Sequence, residues 1–217
     1  MKIAFDLNGV IRDVFLKAEQ VYTKFYLEEK PEEEDISKYD EDNDEWVKDD
    51  GEDTFEYSLN LPVTSMNLID HFKFKSNDDL YDFFYVDFPM NIFGHSPSIS
   101  GNTFNILNDF YVDFRDDNEI TIISDEIGKS KPATLFFLSK YGCLVENIKF
   151  YSKITLEHTF NQFDIIITSN PDLLSLTNHG KKVIKLETTY NKVYDSDYTI
   201  KCISEVEQII KEILNND

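Results

Sequence analysis

The sequence has few glycines, 7 in 217 residues, a single tryptophan and only two cysteines, Cys143 and Cys202. So little glycine excludes a collagen-like or low-complexity chain. Two distant cysteines without metal-ligand spacing exclude a disulfide scaffold or a cysteine-based zinc site and suit a reducing compartment. No apolar run approaches the ~20 residues that a membrane helix needs. The first residues read as a strand rather than a basic leader with a long apolar stretch. The expectation is a cytoplasmic protein without a membrane partner. Basic residues are half as numerous as acidic ones, 21 against 42, giving a net charge of −21. A field of that sign opposes a polyphosphate backbone, so nucleic acid is not expected as a direct partner.

The acidity is concentrated. Residues 28–53 hold fifteen acids and three lysines, −12 of the total, and contain Pro31 and Gly51 without apolar periodicity. Such a stretch repels itself and reads as a solvated insert, with Trp46 and Val47 as its anchors. Hydrophobic content of 41% is ample for a core elsewhere.

The chain opens on an apolar run, Lys2-Ile-Ala-Phe-Asp6, followed by Leu7-Asn8-Gly9. A short run ending at a glycine turn reads as a buried parallel strand, whose C-terminal end faces the ligand crevice of an α/β fold. Helical spacing of apolar residues follows over 11–26. Aromatic-rich helices are predicted over 65–74, over 78–88 behind a Ser76 cap, and over 103–114. From residue 119 onward strand and helix alternate, with strands at 119–123, 148–151, 164–168, 182–186 and 198–203 and a helix at 132–141. A closing helix begins at a capping box formed by Ser204 and Glu207. Alternation of this kind predicts a parallel, doubly wound sheet. The expected organisation is an α/β core from 1–12 and 117–217, with 13–116 as an inserted helical cap that carries the acidic segment. The four histidines, His71, His95, His158 and His179, share no ligand spacing and read as surface or capping residues.

The stretch Asp6-Leu7-Asn8-Gly9-Val10 resembles motif I of the haloacid dehalogenase-like (HAD) phosphohydrolases, Asp-x-Asp-Gly-Val/Thr. That resemblance implies a Rossmann-like core with Asp6 as the nucleophile forming an aspartyl phosphate. Asn8 stands where the family has its general acid, and an amide cannot exchange a proton. In the same order along the chain, Thr121-Ile-Ile-Ser124 resembles motif II, which makes Ser124 a phosphoryl-oxygen ligand. Lys131, with Lys129 as the second choice, resembles the motif III lysine.

The stretch Asp164-Ile-Ile-Ile-Thr168-Ser169-Asn170-Pro171 is similar to motif IV of the 5'(3')-deoxyribonucleotidase branch, phage relatives included. There two adjacent acids complete a Mg²⁺ site; here Thr168 and Ser169 occupy their positions. Lys182 to Asn191 resembles the late strand and Tyr-Asn pair of the same branch. The metal positions implied are therefore Asp6, the Asn8 backbone carbonyl, Thr168 and Ser169, a weak set for a cation that favours carboxylates.

No cofactor is expected on this reading, and Mg²⁺ only if the chain still hydrolyses nucleoside monophosphates. The leading expectation is a catalytically degenerate phosphatase fold serving in binding, scaffolding or structural interaction, a virion or assembly role included if the gene is a phage's. Its expected partners are other proteins, met through the acidic insert or the aromatic cap. True haloacid dehalogenases also lack the second acid, and Ser169-Asn170 fits them, but Leu7-Asn8-Gly9-Val10 matches the nucleotidase branch better.

Overall fold

A computed structural model describes residues 1–27, 63–176 and 181–216; the acidic segment 28–53, with Trp46 and Val47, lies outside them, as does His179. Six strands form one all-parallel sheet: β1 Lys2–Asp6, β2 Glu119–Ser124, β3 Asn147–Phe150, β4 Ile165–Thr168, β5 Lys182–Leu186 and β6 Tyr198–Ile200. Their order is β3-β2-β1-β4-β5-β6. The first strand is thus central, and the chain reverses its direction of travel across the sheet beside it. Crevices at such a reversal, outside the carboxyl ends of the strands, are where open α/β sheets bind ligands. The ends delivered there are Asp6, Ser124 and Thr168.

Side chains alternate between the faces of the strands. Ile3 and Phe5 of β1, Ile165 and Ile167 of β4, and Ile184 and Leu186 of β5 enter one cluster; Ala4, Ile166 and Val183 enter another on the opposite face. Burying both faces explains why these strands read as unbroken apolar runs. Each fully buried Ile or Phe contributes about 1.5–3 kcal/mol. The first cluster is covered by α4 (Thr103–Phe114), α5 (Ser130–Lys140) and α8 (Val206–Asn216), and the second by α6 (Leu156–Phe160) and α7 (Pro171–Leu174).

A third cluster is rich in aromatic rings. It is built from α1 (Val14–Tyr22), α2 (Leu68–Phe72), α3 (Asn77–Asp82) and the π-helical turns Thr23–Leu27, Phe83–Asp87 and Met90–Gly94. Phe72, Phe83 and Phe84 lie at its centre. The cap therefore has its own core, joined to the sheet domain through Ala133 of α5.

Several sequence expectations are corrected. The helix expected over 65–74 is the short α2, stopped by Lys73 in the left-handed region at φ 57°. The stretch 78–88 starts behind the Ser76 cap as expected but continues after Asp82 as a π-helical turn. α4, placed in the insertion by sequence, buries Phe104, Leu107 and Phe110 against the sheet. The box before α8 is formed by Cys202 and Glu205, around a 3-10 turn at Ile203–Glu205, rather than by Ser204 and Glu207. His71 is not a free surface residue, because its Nε2 lies 2.8 Å from Glu19 Oε1. α6, α7 and the turn Met90–Gly94 had no counterpart in the sequence reading.

Candidate functional site

Asp6 ends β1 and is 1% exposed. Its Oδ2 accepts a 2.6 Å hydrogen bond from Thr168 Oγ1, at the end of the neighbouring β4, while Oδ1 is buried without a partner. Burial, followed by the charge of Asp125, pushes its pKa well above the usual carboxylate range; the bonds from Thr168 and the Leu7 amide and the charge of Arg12 offset this only in part.

The turn after β1 is tight. Gly9 has φ +80°, and a Cβ there would fall 2.2 Å from Ser169 Oγ and 2.7 Å from Tyr190 Oη. Only glycine satisfies both conditions. Ser169 Oγ donates to the Asn8 backbone carbonyl at 3.4 Å and lies 3.1 Å from Tyr190 Oη. Asn191 holds this corner from behind, donating to the carbonyls of Ser169 and Leu186. Asn170 caps α7, its Oδ1 accepting from the Asp172 amide, and its Nδ2 donates to Tyr151 Oη at 3.3 Å. Burial, before the nearby charge of Asp6, raises the pKa of both Tyr151 and Tyr190. Tyr190 also accepts help in the opposite direction from its bonds to Ser169 and Thr188.

Asn8 links two halves of the site. Its Nδ2 donates to Asp125 Oδ1 at 2.8 Å and, more weakly, to Ser124 Oγ at 3.4 Å. Its Oδ1 accepts from Nε and Nη2 of Arg12, at 3.0 and 2.6 Å. Arg12 is completely buried. It forms an ion pair with Glu126, donates to Thr134 Oγ1 at 2.7 Å and to the Phe93 carbonyl at 2.9 Å, and lies between the rings of Phe93 and Phe137. Ser124 Oγ and Thr134 Oγ1 both donate to Glu126. Every strong donor and acceptor of this cluster has a partner, as a buried charge pair requires.

Of the residues singled out by sequence, Asp6, Asn8, Ser124, Thr168 and Ser169 converge at the carboxyl edge of the sheet. The Lys131 ammonium lies over the Phe150 ring at 5.3 Å, and the cation whose charge acts on Asp6 is Arg12. Lys129 is exposed. Arg12, Glu126 and Thr134 were missed. One signal was available, since Arg12 is one of two arginines in the chain and falls four residues after Asn8. Among the described residues, no group of three or more His, Cys, Asp and Glu side chains is arranged to hold a metal ion.

No protein-family model and no curated protein matches the sequence. Solved structures do match. A magnesium-bound HAD-hydrolase from Bacillus subtilis aligns with TM-score 0.54 and 12% identity, over 97% of this chain and 98% of that one. The L-2-haloacid dehalogenase of Xanthobacter autotrophicus, with chloropropionic acid covalently bound, aligns with TM-score 0.51 and 9% identity over 97% and 98%. A haloacid dehalogenase-like hydrolase from Burkholderia xenovorans gives 0.51 and 11% over 98% and 97%. The fold is that of the HAD-like hydrolases. The all-parallel sheet with its flanking helices follows that plan, and the alignments cover nearly the whole chain. Identities this low speak for the HAD-like fold and not for a reaction. Among the described residues, no helix is long and apolar enough to cross a membrane.

Proposed function

We propose that this chain is a HAD-like domain of deoxyribonucleotidase ancestry that has lost Mg²⁺-dependent phosphoryl transfer and works by binding. One observation carries the reading. Thr168 and Ser169, at the positions where the resemblance calls for metal-binding acids, are hydrogen-bond donors, directed at the Asp6 carboxylate and the Asn8 carbonyl. Those are the two oxygens left to a cation, and a donor proton in each position competes with Mg²⁺ rather than completing its oxygen shell. The residues do not fit the metal.

Two further features support the same conclusion. Asn8 offers no exchangeable proton, and both ends of its amide are held, by Arg12 and by Asp125. Burial raises the pKa of Asp6, so less of it is present as the nucleophilic anion, and the charge of Arg12 offsets this only in part. Phosphoryl transfer depends on charge neutralisation that this arrangement lacks. Protein partners would meet the acidic insert or the exposed aromatic and aliphatic side chains of the cap, among them Phe25, Tyr26 and Tyr81. In a phage this is compatible with a virion or assembly role.

The test is phosphate release from a panel of nucleoside and deoxynucleoside monophosphates, with and without Mg²⁺, using Asp6→Asn as the blank. The expected result is release no greater than the blank. Mg²⁺-dependent release that Asp6→Asn abolishes would overturn the proposal. Turnover gained only in a variant combining Asn8→Asp, Thr168→Asp and Ser169→Asp would place the loss at these three positions.

A further inference from the structure

A cavity of about 250 Å³ lies between the cap and the sheet domain, in front of Asn8 and Asp125. Its walls are mostly apolar, with rings from Phe15, Tyr81, Phe84, Tyr85 and Phe93. A space of this size, at the small end of ligand pockets, suits a molecule of fragment dimensions. Among the described residues, the only ionisable carboxylate on the wall is Asp125. One of its oxygens takes the Asn8 amide. Among the described residues, no Lys, Arg or His lies within ion-pair distance of it. The nearby Arg12, ion-paired with Glu126 behind Asn8, offsets the acids at the cavity only in part.

We propose that this cavity binds a small organic cation, an alkyl- or arylammonium, with its charged head on Asp125 and its apolar body among the aromatic rings of the cap. Ring faces carry negative quadrupole potential, and aromatic walls around a carboxylate are the usual chemistry of ammonium recognition. The local field has the same sign: burial, then Asp125 and Glu126, push the Tyr85 phenol far above its ordinary pKa. An anion would meet Asp125 head-on, and the net charge of −21 steers cations toward the chain. The inference rests on the reading above, in which the site no longer takes a phosphate group.

Calorimetric titration of the full chain with phenethylammonium, 2-phenylethanol, phenylacetate and inorganic phosphate with Mg²⁺ tests it. Phenethylammonium is expected to bind at least about tenfold more tightly than phenylacetate, in line with one unscreened charge contact. Asp125→Asn, which keeps an acceptor for the Asn8 amide, should remove about tenfold of the ammonium affinity and leave the alcohol unchanged. Leu80→Trp, which fills the cavity from the cap side, should abolish binding of both without touching Asp125. Equal affinity for phenylacetate, no binding of phenethylammonium, or indifference to Asp125→Asn would each overturn the inference. Failure of the ammonium alone leaves the absence of phosphatase activity standing; tight Mg²⁺-dependent phosphate binding together with phosphate release would bring down the underlying reading as well.

Discussion

Glu126 and Asp6 are both carboxylates buried at the carboxyl edge of the same sheet, yet their surroundings are opposite. Glu126 receives Arg12, Ser124 and Thr134 and leaves no oxygen unpaired. Asp6 accepts one side-chain hydrogen bond, from the Thr168 hydroxyl, and its Oδ1 has no hydrogen-bond partner among the described residues. A buried acid whose partners are complete is a structural part. One that stays incompletely paired is tolerated at a cost, and such positions cluster where a fold once had or still has a ligand. The contrast is one of pairing: Arg12 gathers the polar groups on one side of the crevice, while Asp6 on the other keeps a single side-chain partner.

The contrast can be broken at either end. Arg12→Ala leaves the buried Glu126 without its counter-ion, and is expected to destabilise the fold by about 3–5 kcal/mol, read by urea denaturation. Gly9→Ala forces a side chain into a left-handed position and against Ser169 and Tyr190; a loss of about 2 kcal/mol is expected by the same measurement.

Asp6→Asn should move stability the other way. The folded-state pKa of Asp6 is raised, so the stability contributed by its protonated form is fully present below the unfolded pKa of about 3.9 and is lost as pH rises through the folded value. The amide removes that loss. Thermal melts should therefore show a gain on the order of 1 kcal/mol at pH 8 that shrinks toward zero at low pH; a variant that is less stable than wild type at pH 8 would contradict the account of Asp6. Lys131→Ala should be the quietest, within about 0.5 kcal/mol, because its ammonium serves neither carboxylate.

Much of the sheet was legible because periodicity survives burial. Lys182–Leu186 and the helix Thr103–Phe114 fall where the pattern of apolar residues puts them. Motif positions were legible for a related reason: a strand end followed by a glycine turn fixes Asp6 and Asn8 regardless of what surrounds them. The cap was read less well. Aromatics there occur too densely for a face to be distinguished, so the π-helical turns after α1 and α3 look like continued helix. The Arg12 cluster was hidden for a third reason. Its members come from residues 8, 12, 93, 124, 126 and 134, and only tertiary packing brings them together. The contact of the Lys131 ammonium with the Phe150 ring was hidden in the same way, since it too joins residues distant in sequence.

The strand made first occupies the middle of the sheet, between β2 and β4. On a ribosome moving at about 5–20 residues per second, β4 appears roughly 8–33 seconds after β1. For that interval the apolar run Ile3-Ala-Phe5 has at most one of its two edges paired, so the nascent chain carries an open β-edge until β4 joins it. The central position of β1, which gives the finished protein its crevice, thus leaves one of its edges open until β4 has been made.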